Sequence, residues 1–524
     1  MVAGLLMVTT CYAQSTQTPA QYLASRPKPV FAPGHRLPHL SKFSWPYSFA
    51  LRVEMATNWG YALEFANYNT LVDGGLEKVL SNSNSIPAKV INLCSNYPGR
   101  FKLQVELDRD WPTNLSRGFW VTNSDGYFVD NNTNLWLDVT NTHYTKIVSP
   151  EAPEADLRNQ AASITAPLRT LLSNAPIAII LNGGERDLGV CGFDRKSWQF
   201  DPRVIAARGT NSWQNYNSER KGQHLAVLAE AVRQAVPDRE LYIWYHSGNE
   251  QNRLTALKDW FNVWNNWGWR SDYIMGTNLS VGRGQDLPSF ESYFVTQGSW
   301  TNRGYKFNYD LLTMHLNAVG YNANLGYRLN YSWVCGGWTT NASRLAEIPR
   351  YKGLLKCLYT SGMVGAVAGY FDFPADGFDA SFPSNTPPHW LRQIEALSQV
   401  HALFSHLDGY LYEGDLLAGS TVHAMAVDQP SYEFTNTVAD AQARVLARKL
   451  RASDNWIVTA WADDGPDRTV SVDIPTLGRV NVLASASGSV YRGTRLSLAR
   501  LDENGLPSRP NRPAGVEVLP PESP

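Results

Sequence analysis

The sequence predicts an α/β fold: a (β/α)8 TIM-type barrel followed by a small all-β sandwich domain. Short apolar, β-branched runs recur along most of the chain without polar alternation, as strands covered by helices require. Segments of helical period lie between them, the pattern of a parallel sheet built from βα units. After about residue 405 the texture changes to alternating runs cut by "SDN", "DDGPD", "TLG" and "ASGS", which predicts an antiparallel sandwich over 415–501. A doubly wound sheet would need a phosphate-binding glycine loop after its first strand, and Trp59-Gly60 is no such loop.

At 524 residues the chain is long enough for one large domain and a smaller one. A formal net charge of -1 leaves no electrostatic footprint for nucleic acid or a membrane surface. The opening "MVAGLLMVTTCYAQ" ends in a small-residue site, so residues 1–13 are expected to be a removed export signal, with a secreted or periplasmic mature protein. Beyond Cys11, the cysteines Cys94, Cys191, Cys335 and Cys357 have a spacing that defines neither a disulfide framework nor a metal site.

Residues 14–45, rich in proline, read as an extended lead-in to a barrel spanning 46–405. Its strands are expected near 49–55, 88–95, 102–107, 177–182, 241–246, 272–277, 326–334 and 364–371. A helix is expected near 69–84, and "RGFWVTNSDGYFVDNN" reads as an inserted hairpin. In "SPEAPEADLRNQ" serine caps a helix that begins on proline and acids. The tail from Asp502 to residue 524 is Pro-rich and expected to lack order.

The chemistry is expected at the carboxyl ends of the strands, where barrel enzymes carry their catalytic groups. "PIAIILNGGERDLGV" ends a buried strand in Asn182, two glycines and Glu185; Asp187 stands close enough to compete for the role. The fifth strand leads to Gly248, Asn249 and Glu250, and the eighth to Asp372 between two phenylalanines. Two such carboxylates can flank a glycosidic bond, one donating a proton and the other attacking or activating water. Trp59, Tyr245, His246, Asn278 and Trp333 are placed to line the same mouth, with Arg52 and Glu54 on one face of the first expected strand. Eighteen tryptophans and 25 tyrosines suit stacking on sugar rings, although most such rings belong to cores.

On these residues, 45–400 resembles a (β/α)8 glycoside hydrolase, and the terminal segment resembles the small β-domains attached to such barrels. In the large retaining group the acid/base is a Glu directly after an Asn at the fourth strand, and the nucleophile a Glu at the seventh. Here two glycines separate Asn182 from Glu185, and "NYSWVCGGW" at the seventh strand carries no acid. The resemblance therefore implies an acid/base role for Glu185 and leaves its partner between Glu250 and Asp372. It implies a poly- or oligosaccharide substrate. Zinc-hydrolase, serine-hydrolase and nucleotide-loop motifs are missing, so no metal and no cofactor is expected. The competing readings are a carbohydrate-binding barrel without catalysis and a polysaccharide lyase.

Overall fold

The computed structural model describes residues 15–42, 47–66, 81–107, 149–173, 175–182, 186–187, 190–191, 201–211, 213–237, 241–244, 286–289, 291–293, 312, 315–316, 319, 323, 326–336, 347–369, 377–417, 443–462 and 466–508. In chain order they include helix α1 (Pro19–Ser25), strand β1 (Ser41–Lys42), α2 (Phe49–Asn58), β2 (Leu63–Ala66), α3 (Ile86–Asn96) and β3 (Leu103–Leu107). There follow α4 (Glu154–Leu172), β4 (Ile177–Asn182), α5 (Trp213–Ala235), β5 (Leu241–Trp244), β6 (Glu291–Tyr293), β7 (Asn330–Cys335), α6 (Ile348–Ser361) and β8 (Met363–Ala368).

The strands form two four-stranded parallel sheets, β2-β3-β4-β5 and β1-β8-β7-β6. A parallel bridge between Leu40 and Tyr61 joins them at the start of β1. Across that joint the spatial order is β5-β4-β3-β2-β1-β8-β7-β6, which is the sequence order cut once, between β5 and β6. Leu63, Phe65, Leu103, Val105, Ile177 and Ile180 pack with Val90, Leu157, Leu168 and Val232 in a core between the first sheet and α3, α4 and α5.

Two expected strands are helices. Ser48 accepts from the Leu51 N–H and opens α2 over the 49–55 segment; Ser85 does the same for Ala88 and opens α3 over 88–95. Leu51 and Met55 lie four apart, as do Val90 and Cys94, so the buried positions follow the helical period. The first two strands lie instead at 41–42 and 63–66. The lead-in is not simply extended: Thr18 and Gln21 form a reciprocal capping box around α1. Ser149 caps a turn at Glu151, and α4 starts behind Pro153 without a side-chain cap. The 69–84 helix (but for its last residues), the hairpin at 117–132 and the 272–277 strand lie outside the described residues.

Beyond α7 (His389–Ser405) and α8 (Asp408–Glu413) come β9 (Gly414–Leu416), β10 (Ala443–Leu450), β11 (Asn455–Ala462), β12 (Arg468–Ile474), β13 (Gly478–Ala484), β14 (Ser489–Thr494) and β15 (Ser497–Arg500). They form an antiparallel sheet ordered β9-β10-β11-β14-β15 and a separate ribbon, β12-β13. This unit shares a hydrophobic core with α6 and α7. Gly353 on α6 permits the close approach: a Cβ there would come within 2.4 Å of the Ala486 carbonyl oxygen. Arg448, 2% exposed, spends its guanidinium on the carbonyls of Tyr410, Thr360, Leu411 and Gly414 at 2.9–3.3 Å. A buried guanidinium satisfied this way ties α6, α8 and β9 to β10.

Candidate active site at the carboxyl ends of the strands

Leu103, Val105 and Leu107 of β3 face the helices, so Gln104 and Glu106 point to the opposite face; the same alternation turns Glu64 of β2 inward between Leu63 and Phe65. Glu64 is 1% exposed, Gln104 0% and Glu106 6%. This interior face is polar near the ends of the first three strands.

Glu64 is the centre of a charge cluster. Lys42 Nζ at the end of β1 lies 3.3 Å from one carboxylate oxygen, and Arg52 Nη1, from the first turn of α2, lies 3.0 Å from the other. Arg52 also donates to the Tyr47 carbonyl at 3.0 Å and the Glu64 carbonyl at 3.3 Å. The Gln104 amide reaches across β2 to β1, accepting from the Lys42 N–H at 3.0 Å and donating to its carbonyl at 2.5 Å. Burial pulls the Lys42 ammonium down to about 8, with the Glu64 carboxylate acting the other way.

Arg52 and Glu54 sit on a helix, where residues two apart do not share a face, which corrects the expected strand pair. Glu54 is held away from the cluster by Lys28 (2.6 Å), Asn58 (3.0 Å) and Trp59 (3.2 Å). Trp59, fully buried in the core with α7, receives Ser398 on its carbonyl. It is not a sugar platform. Trp333 alternates with Val334 of the outer core and so lies on the interior face of β7, where it is 1% exposed. On the same face Tyr331 lies over Gly365, where a Cβ would meet its ring at 2.5 Å, and reaches Ser41 Oγ at 3.1 Å.

Asn182 is the last residue of β4, in register with Leu107 and Trp244, and Glu185 follows it three residues later in sequence. Glu185, Glu250, Asp372, Tyr245, His246 and Asn278 lie outside the described residues. The cluster of Lys42, Glu64, Gln104 and Glu106 was not singled out from sequence. The available signal was the alternation in "LQVEL" and the single acid in "LEFA".

Near the start of α4 and along α5, a cavity of about 400 Å³ is lined by Glu151, Leu157, Arg220, Gln223 and His224. Glu151 is engaged by the Tyr216 hydroxyl at 2.5 Å and Arg220 Nε at 2.7 Å. Among the described residues no group of three or more His, Cys, Asp or Glu could hold a metal ion, and no helix is long and apolar enough to cross a membrane.

No protein-family model and no curated protein matches the chain. Solved structures similar to it include an endo-beta-1,4-mannanase from Thermotoga petrophila, at 11% identity and a TM-score of 0.42, over 89% of this chain and 97% of that one. A GH36 alpha-galactosidase from Geobacillus stearothermophilus is similar at 12% identity and TM-score 0.41, over 88% and 54%. The alpha-L-fucosidase isoenzyme 2 from Paenibacillus thiaminolyticus is similar at 9% and 0.39, over 73% and 51%. The chain spans about half the length of the latter two. By their names, these structures are glycoside hydrolases.

Proposed function

We propose that this chain is a glycoside hydrolase acting on a poly- or oligosaccharide, built on a closed (β/α)8 barrel with the C-terminal sheet and ribbon as an appended β-sandwich. The observation that carries the reading is the order of eight parallel strands, with β4 ending on Asn182 and the Gly-Gly-Glu segment directly after it. Carboxylates at strand ends are the groups this chemistry requires. Glu185 is the proton donor and Glu250 or Asp372 its partner. Export follows from the opening segment and is checked by the mass of the mature protein, expected to begin near Gln14.

The test is a panel of polysaccharides assayed for new reducing ends, followed by Glu185→Gln on the substrate found. Turnover should fall by about 10²–10⁴-fold on a poor leaving group while the thermal transition is unchanged. Near-full activity of that variant would falsify the assignment. Carboxyl groups about 5–5.5 Å apart would make the enzyme retaining, and about 6.5–9.5 Å inverting.

A further inference from the structure

Just ahead of β1 the rings of His35 and His401 meet, and His39 follows in the same segment. His401 of α7 stands with its ring 6.4 Å from that of His35 and accepts or donates at Nδ1 with the Tyr359 hydroxyl of α6 at 2.7 Å. Phe31 wedges in beside them, its ring 5.7 Å from His35 and 5.8 Å from His401. It fits against Gly60, which has φ of 74° and whose Cβ would meet the Phe31 ring at 2.5 Å. His39, four residues after His35, disfavours a proton on both His35 and His401.

The segment that carries His35 and His39 is fastened along its length. Ala32 N–H donates to Ser405 Oγ (2.8 Å), His406 Nε2 meets the Val30 carbonyl (2.9 Å), and Tyr412 donates to the Arg36 carbonyl (2.8 Å). Tyr331 donates to the His39 carbonyl at 2.7 Å. Leu40 comes next, and its N–H and carbonyl make the bridge that joins the two four-stranded sheets: Leu40 N–H to Gly60 (2.9 Å) and Ala62 N–H to Leu40 (2.8 Å).

We propose that residues 28–42 are an acid-sensitive clasp: protonation of the His35, His39 and His401 cluster releases the segment and parts the two sheets at the Leu40–Tyr61 joint. The physical reason is mutual repulsion in a partly desolvated cluster: His39 disfavours a proton on His35, and both disfavour one on His401, which the Pro38 backbone offsets only in part. Asp408, which also pairs with Arg36 at 3.3 Å, favours a proton on His35; Lys102 at the start of β3 disfavours one on His39; His406 disfavours one on His35. Tyr359 and Phe31 offer the cluster no charge. Burial lowers His35 and pulls His39 down to about 4 and His401 to about 3. Released, each returns to the ordinary value near 6.5. The folded-state values are the depressed ones, so the clasp is fully closed above about pH 6.5 and loses stability as pH falls from there toward 4. Each histidine shifts the open-to-closed ratio by up to about tenfold per pH unit in that window.

The experiment is hydrogen exchange at Ala32, Leu40 and Ala62 between pH 7.5 and 4, each rate referred to the unfolded peptide at the same pH. Protection in the full chain should fall steeply below pH 6.5, with a slope of two or more protons. In His35→Gln/His39→Gln the loss should move at least one pH unit lower and become shallower. An unchanged midpoint and slope overturns the proposal, because carboxylates would then be responsible. If the double variant does not fold, the imidazole Cε1 proton resonances of the unaltered protein decide. They should titrate together with the loss of protection; titration with the clasp still protected overturns it. This inference is independent of the glycosidase reading.

Discussion

The two ends of β1, a strand only two residues long, carry opposite solutions to the same problem. At its carboxyl end Lys42, Arg52 and Glu64 are buried together, each cation within 3.3 Å of the Glu64 carboxylate. At its amino end His401 is buried and His35 and His39 are half-buried, in surroundings that disfavour a proton on each. A paired charge and an uncharged base both tolerate burial, but they fail differently. The first fails when a partner is removed, the second when the solvent supplies a proton.

The largest test of this contrast is Glu64→Ala. It strands two cations in the interior and should cost about 3–5 kcal/mol in a denaturant titration. A loss below 1 kcal/mol would mean the cluster is solvated. Removing Lys42 as well, in Lys42→Met/Glu64→Ala, should recover part of the loss, since one stranded charge goes with it. Acid should act on the other end. Unfolding free energy should drop between pH 6.5 and 5.5 by about 1 kcal/mol for each of His39 and His401 and by less for His35, and His401→Gln should reduce that slope. Tyr359→Phe removes the hydroxyl on His401 Nδ1 and should cost about 1 kcal/mol at neutral pH. The smallest effect belongs to the half-exposed Arg36–Asp408 pair. Asp408→Asn should cost well under 1 kcal/mol, with a salt dependence that the Glu64 cluster lacks. The same variant should also move clasp release to higher pH, since Asp408 favours a proton on His35 in the closed state and so lessens the acid penalty.

Several strands were readable because their chemistry is uniform. "IAIIL", "LYIW" and "MVGAVA" are runs of apolar and aromatic residues without polar alternation. The segments at 49–58 and 86–96 were misread because an apolar run beside a polar one fits either period over so short a window. What separated them was Ser48 and Ser85, whose side chains satisfy the first free N–H groups of α2 and α3. Once those two became helices, Arg52 and Glu54 parted. One turned to Glu64 and the other to Lys28 and Trp59.

The sequence by itself determined the α/β character, the strands of uniform apolar composition, the antiparallel C-terminal region and the acid that follows Asn182. These are written in local period and turn chemistry, which act over a few residues. The tertiary structure alone decided that Lys42, Arg52, Glu64 and Gln104 converge, and that residues 35 and 39 meet residue 401. Such encounters depend on strand order and register, and no local pattern encodes which distant side chain lies across the sheet. Trp59 shows the same limit: its position after α2 was legible, but only the packing of α7 against it made it core rather than a surface for sugar.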